Sequence, residues 1–138
     1  MNINYIIITK KTPSFYADAR KEYEKRLSRF CRLKVSCVKN EEKAEKILNQ
    51  KYPVITLNSR GSALSSEEAA EKIRTSEIRG VSSVNIVVGE DFVLPDGFIN
   101  AGSISVTHFP LSSDLTAVTG LEQIYRAYKI ISGETYHK

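Results

Sequence analysis

Apolar positions along this chain follow two spacings that alternate from one end to the other. Ile3 and the run Tyr5 to Ile8 are almost continuously apolar, as expected of a strand buried on both faces. Thr12 and Pro13 then suit an N-cap and a first helical position. Phe15, Tyr16, Ala19, Tyr23, Leu27 and Phe30 recur every three or four residues, which predicts a helix to about Phe30 with Lys21, Lys25, Arg26 and Arg29 largely off the apolar stripe. Leu33, Val35, Cys37 and Val38 read as a second strand, and the charged stretch Asn40 to Gln50 as a short, mostly solvated helix. Pro53 to Leu57 is a third strand, ended by the turn-forming Asn58-Ser59-Arg60-Gly61. Ser65 with Glu68 forms a capping box for a helix through about Thr75. Val84 to Val88 is a fourth strand, leaving through Gly89 into a loop with Pro95 and Gly97, and Ser103 to Thr107 is a short fifth. After Pro110 and a Ser-Ser-Asp cap, a last helix runs from about Asp114 to Ile131 and buries Leu115, Val118, Leu121, Tyr125 and Tyr128. Gly133 closes it, and Glu134 to Lys138 form a tail.

This order predicts an α/β fold with a mostly parallel sheet covered by helices on both faces. Ligands of such folds sit at the carboxyl ends of the strands, so the residues just after Leu57, Val88 and Thr107 are the ones to inspect. A chain of 138 residues, 41% apolar, buries enough surface to need neither disulfide nor structural metal. No repeat or low-complexity linker divides it, so one domain over 1–138 is expected. No apolar run approaches the roughly 18 residues that span a bilayer, and Met1 to Lys10 holds a strand-like run rather than a signal-peptide core. A cytoplasmic protein without membrane attachment is therefore expected. The spacing of Cys31 and Cys37 matches no zinc or redox pattern, and His108 and His137 are far from both, so no metal site is expected.

Charge adds an asymmetry. The net charge is +4, but residues 1–52 carry +7 and residues 53–138 carry −3. A basic front half suits a polyanion such as nucleic acid, and it equally suits a solvated helix face. Walker-type and Gly-x-Gly-x-x-Gly phosphate loops are absent from the sequence. Glu90, Asp91 and Asp96 share a loop, where they could bind a cation or act as bases, or be merely solvated. Ser65 and Ser66 read as helix caps rather than nucleophiles. His108 ends the fifth strand, in reach of a ligand or in a structural role. Along the last helix, Glu122, Gln123, Tyr125, Arg126, Tyr128 and Lys129 lead into Tyr136, His137 and Lys138. Rings that stack on bases beside cations that meet phosphates are a usual pairing for unpaired RNA, although a terminal Tyr-His-Lys is also what a frayed end looks like.

Three blocks of this sequence carry a resemblance. EQIYRAYKIISGETYHK (122–138) resembles the C-terminal end of the SPOUT-class methyltransferases that modify pseudouridine in large-subunit ribosomal RNA, the RlmH family. YEKRLSRF (23–30) resembles that family's Glu-Tyr-x-Lys-Arg-Leu helix, and ITLNSRGSALSSEEAA (55–70) its strand, turn and Ser-Ser-Glu helix start. The resemblance implies an α/β fold whose C-terminal part is threaded into a trefoil knot, against the general rule that chains are unknotted. It also implies a homodimer that binds S-adenosylmethionine and acts on ribosomal RNA or the ribosome. Carried over by position, Leu57, Gly89, Val106, Thr107, His108, Phe109, Pro110 and Leu111 would line the cofactor. These lie at the same strand ends that the fold argument singles out. Tyr136, His137 and Lys138 match the family's catalytic tail, which reaches the target base across the dimer. The implied reaction is in-line transfer of a methyl group from the sulfonium to ring nitrogen N3 of a pseudouridine, with the protein mainly aligning the two groups.

Two stretches depart from the family pattern. Its Gly-Gly-x-x-Gly loop reads Gly89-Glu90-Asp91-Phe92-Val93 here, and its Pro-His-Gln-x-x-Arg stretch reads Ser112-Ser113-Asp114-Leu115-Thr116-Ala117. Extra side chains and carboxylates in the first stretch stand where a cofactor would need room. The pattern fits a divergent methyltransferase, or alternatively a non-catalytic RNA- or ribosome-binding dimer of the same fold. With an RNA-modifying family behind it, the basic segment Arg20 to Lys51 reads as a docking surface contributing salt-dependent, sequence-independent affinity.

Overall fold

The computed structural model describes residues 1–136. Its elements are β1 (Asn2–Ile8), α1 (Ser14–Leu27), β2 (Arg32–Val38), α2 (Glu41–Ile47), β3 (Val54–Ala63), α3 (Ser66–Ile78), β4 (Ser83–Val88), β5 (Asn100–Ser105) and α4 (Ser113–Ile131). The five strands form one sheet in the order β2-β1-β4-β3-β5, and every pairing is parallel. The expected α/β class holds.

Two cores lie on opposite faces of the sheet. On one, Ile3, Tyr5 and Ile7 join Leu57 and Val88 and pack against Leu27 of α1 and Ala117, Leu121 and Tyr128 of α4. On the other, Ile6, Val54 and Val87 pack against Ala44, Leu48 and Phe92. The period-2 geometry of β1 divides its side chains between the two. Asn85 is fully buried beside the second core, yet its amide is satisfied. Its Oδ1 accepts from Asn4 Nδ2 (2.8 Å) and from the Asn49 N–H (3.1 Å), and its Nδ2 donates to the Asn49 and Tyr52 carbonyls (2.9 and 3.2 Å). A buried amide with all these partners costs little and pins the turn between α2 and β3.

Several elements differ from the sequence expectation for physical reasons. Asn58 to Gly61 do not end the third strand. Leu57 and Ser62 both lie opposite Ile104, so the four-residue stretch bows out and the ladder resumes to Ala63. The fifth strand begins earlier, at Asn100, and stops at Ser105, whose hydroxyl closes a turn on the Thr107 carbonyl. Pro13 rather than Thr12 occupies the N-cap of α1, because the Thr12 hydroxyl donates instead to Asp114 Oδ1 (3.2 Å). α1 stops at Leu27, short of Phe30, α2 is shorter than expected, and α3 is longer. Phe15 and Leu115 were expected on buried faces but are exposed, Phe15 at 64%. Polar groups fill the space between the starts of α1 and α4, which leaves those two side chains facing outward.

That polar junction is centred on Asp114. Thr9 Oγ1 donates to its Oδ2 (3.1 Å), Thr12 to its Oδ1, and the Arg20 guanidinium stands 3.7 Å away, with Arg20 and Asp114 both buried. Further along, Tyr5 Oη donates to the Ala117 carbonyl (2.8 Å). A Cβ built on Gly120 would stand 2.5 Å from Tyr5 Oη and 2.7 Å from Leu57 Cδ2, so α4 approaches the sheet at a distance only glycine permits.

Two outcomes follow for stability. Gly120→Ala gains about 1 kcal/mol of helix propensity but wedges a methyl against a buried, hydrogen-bonded tyrosine, and overpacking costs about 1–3 kcal/mol. Urea denaturation is expected to show net destabilisation, and an equally stable variant contradicts the close contact. Asp114→Ala strands the buried Arg20 charge and is expected to cost roughly 3–5 kcal/mol, whereas the double variant Arg20→Met, Asp114→Leu recovers much of the loss. Denaturation midpoints of the single and double variants that match each other count against a coupled pair.

Candidate functional site

Leu57, where the β3 ladder breaks, stands beside the ends of β4 and β5. It lies opposite Val88 of β4 and Ile104 of β5, and its carbonyl accepts the Gly89 N–H (3.2 Å). The bow of β3 begins at the next residue. Asn58 is buried, and its Oδ1 accepts the Arg60 N–H (3.0 Å), a side-chain-closed turn that sequence composition signals correctly even though the strand resumes after it. Gly61 lies against the β5 backbone, where an added Cβ would stand 2.5 Å from the Ile104 nitrogen.

The loop after β4 is tied to this bow. Glu90 accepts from the Ser59 N–H (2.9 Å) and the Ser59 hydroxyl (3.0 Å), while the Arg60 guanidinium donates to the Glu90 carbonyl. Phe92 is buried in the core on the α2 face. Of the two side chains that stand where the family has glycine, Glu90 is thereby committed to the protein itself, while Val93 is exposed. Asp91 and Asp96 are exposed.

Beyond β5, Val106 packs on the first core, the Thr107 hydroxyl accepts the Phe109 N–H (3.2 Å), and Leu111 is half-buried. Ser112 Oγ then accepts the Leu115 N–H (3.3 Å) and starts α4. His108, Phe109 and Pro110 are exposed, Phe109 at 77%. Of the residues expected to line a cofactor, the fold thus brings Leu57, Gly89 and Val106 to one junction and leaves the tip of the loop at the surface. A cavity of about 230 Å³ opens from Leu57 and Val106 between the sheet and helices α3 and α4, walled by Ile55, Ile86, Ile73 and Ile124. The Tyr128 hydroxyl borders it, buried and without a hydrogen-bond partner among the described residues.

Flat, uncharged rings such as a purine are held by apolar walls and a few backbone groups. Leu57, Val106 and Leu111, with the backbone of the segment 106–111, make a donor set of that kind. Of the two carboxylates expected to crowd it, that of Glu90 is bound to Ser59 and that of Asp91 is exposed. The residues present fit S-adenosylmethionine.

The tail lies elsewhere. Tyr136 rests edge-on against Tyr125 (centroids 5.2 Å), beneath the Arg126 guanidinium (4.9 Å), and its hydroxyl donates to Glu122 Oε1 (3.4 Å). Burial, and next the Glu122 carboxylate, push its phenol up to about 12. Its level on α4, near Glu122 to Arg126, is roughly 15 Å from the helix start at 1.5 Å per residue. Within one chain, then, Tyr136 and the segment 106–111 stand apart. His137 and Lys138 lie outside the described residues.

Sequence reasoning missed Arg20, Asp114 and Glu134. Arg20 sits four residues after Tyr16 and three before Tyr23, so the helical period places it on the buried face. A charged side chain in a buried register is not what an apolar pattern marks, and Asp114 carries only the signal of a cap residue.

Comparison with known proteins bears on this arrangement. The family model described as "Predicted SPOUT methyltransferase" matches residues 1–137. Ribosomal RNA large subunit methyltransferase H 1 of a Thermoanaerobacter species is 40% identical over the full length of both chains. The ribosomal RNA large subunit methyltransferases H of Clostridium novyi and Acetivibrio thermocellus are 36% and 32% identical, again over all of both chains. With matches of this extent over the same strands, loops and tail, the chain belongs to the SPOUT methyltransferase family, and within it to the RlmH group.

Proposed function

We propose that this protein is an S-adenosylmethionine-dependent methyltransferase that methylates N3 of a pseudouridine in large-subunit ribosomal RNA, acting as a homodimer in the cytoplasm. The observation that carries this reading is the junction at Leu57, where the break in the β3 ladder, the ends of β4 and β5 and a glycine meet beside an apolar cavity. S-adenosylmethionine supplies the electrophilic methyl group. Leu57, Gly89 and Val106, with Thr107 to Leu111 folding over, hold and orient the cofactor and exclude water from it. Part of this reading is a trefoil knot in the C-terminal part of the chain, which the family resemblance implies.

Two observations support the dimer. Tyr136 sits beside Glu122 to Arg126 of α4 and the segment 106–111 precedes the start of that helix, so a tail supplied by a second copy would bring the two together. Phe15, Phe109 and Leu115 are exposed apolar side chains at or near the start of α1 and α4, the kind of surface that a partner covers. Tyr136 contributes as a ring to stack on the base or as a hydroxyl donor. With its phenol at about 12 it remains protonated at neutral pH and is no general base. Lys138 pairs with phosphate and His137 assists at the base. Lys21, Lys25, Lys43, Lys46 and Lys51 are exposed on the basic front half and suit the RNA backbone.

Calorimetric titration is expected to show S-adenosylmethionine binding, and the protein to transfer labelled methyl groups to ribosomes lacking the modification. Ribosome binding without cofactor affinity replaces this reading with that of a non-catalytic RNA-binding dimer. Deleting residues 134–138 is expected to abolish methyl transfer and leave cofactor affinity little changed. Loss of both together counts against a role for the tail at the target base.

A further inference from the structure

Short chain ends normally fray, yet this one is fastened at Glu134. α4 ends at Ile131, and Gly133, at φ 73°, turns the chain back, a left-handed conformation that glycine adopts without strain. Glu134 then meets two cations from different parts of the fold. Its Oε1 accepts from Arg29, just beyond α1, and its Oε2 from Lys129 in the last turn of α4. Two residues later Tyr136 enters its place among Tyr125, Arg126 and Glu122, where Arg126 is itself held by Glu122 (2.6 and 3.1 Å).

Tyr136 has weak attachments of its own. A 3.4 Å hydrogen bond is long, and a single half-buried cation over a ring contributes only about 1 kcal/mol. Single exposed ion pairs are weak as well, but a carboxylate shared by two cations from two segments defines one register for the tail. Lys129 and Arg29 hold the Glu134 carboxyl below the usual carboxylate range. A carboxyl lowered in this way keeps its attachment above its ordinary pKa and loses it only as pH falls through the lowered one.

We propose that Glu134 is a positioning residue: gripped between Arg29 and Lys129, it locks the C-terminal tail onto α4 and so presents Tyr136 to RNA in one pose. This inference rests on the role of the tail argued above. Its effect is on the freedom of the tail. A group already ordered before its substrate arrives needs no ordering during the reaction, and misplacement by an ångström or so is enough to slow transfer about a hundredfold.

The test uses the full chain with Glu134→Gln, which keeps the shape and removes the charge. Heteronuclear NOE values of the Thr135 and Tyr136 amides report order in the tail, independently of activity. Tritiated S-adenosylmethionine with ribosomes lacking the modification reports kcat and KM. The wild-type amides are expected to be as ordered as those of α4, and those of the variant to move freely. With this goes a fall in kcat of about tenfold or more, with cofactor affinity and melting temperature unchanged. Lys129→Gln is expected to give the same pattern in weaker form.

Ordered amides in Glu134→Gln overturn the proposal, as does a loosened tail with unchanged kcat. Parallel loss of transfer and cofactor affinity indicates a folding role and overturns it too. A wild-type protein that is inert on ribosomes removes the methyltransferase reading instead, while the amide measurements still decide whether Glu134 holds the tail.

Discussion

How closely α4 approaches the sheet governs both ends of the functional surface. The Tyr5 hydroxyl is bound to the Ala117 carbonyl in the centre of the first core, and Gly120 leaves no room for a side chain between α4, Tyr5 and Leu57. Leu57 is also where the break in β3 comes beside the ends of β4 and β5, so one contact seats the helix and borders the candidate cofactor site. From that seat the start of α4 delivers Asp114 into its buried junction, and the other end delivers the tail. A buried hydroxyl with a partner strengthens such a seat, because the low local dielectric makes leaving it unpaired expensive.

The departures from the family pattern are absorbed by local exchanges. A loop that loses glycines must place the new side chains somewhere. Glu90 takes its carboxylate to Ser59 and Val93 faces outward, and between them Phe92 anchors the loop in the opposite core. Asp114 stands within the stretch that replaces the family's Pro-His-Gln-x-x-Arg. It draws Thr9, Thr12 and Arg20 around itself, so the junction of α1 with α4 is held by a carboxylate and its donors. These exchanges favour a divergent enzyme over a fold that has lost its site, since drifting loops have no reason to keep the cofactor junction clear.

Elements with strong periodicity were legible in the sequence. The parallel strands β1 and β4, the capping box at Ser65 and Glu68, and the span of α4 followed from apolar spacing and cap chemistry alone. Legibility failed where tertiary contact overrides local preference. Asn58 to Gly61 are good turn formers and do turn, but pairing with β5 recovers the strand afterwards, and no local signal records that distant partner. Phe15 has the spacing of a core residue, and only the polar filling around Asp114 explains why it faces outward. Leu57, Gly89 and His108 are candidates from the rule that ligands sit at strand ends, and Tyr136, His137 and Lys138 from their pairing of aromatic and basic groups. Val106, Thr107 and Phe109 to Leu111 are candidates only through the family resemblance.

The charge asymmetry of the chain changes meaning once the partners are known. The +7 of residues 1–52 includes Arg20, buried with Asp114, Arg26, paired with Glu22, and Arg29, paired with Glu134. Those three hold the fold and the tail together, and an ion-paired guanidinium contributes less to an external field than a free one. The exposed cations that remain include Arg32 and Lys34 on β2, an edge strand, together with Lys43 and Lys46 on α2. Charges on an edge strand also discourage pairing with another sheet, so part of this surface has a use that involves no RNA. The field available for docking is accordingly smaller than the sequence balance suggests and comes from exposed cations of α1, such as Lys21 and Lys25, as well as from the β2 edge and α2. The arginines nearest the tail, Arg29 and Arg126, contact Glu134 and Tyr136, so their charge is directed at the tail rather than outward.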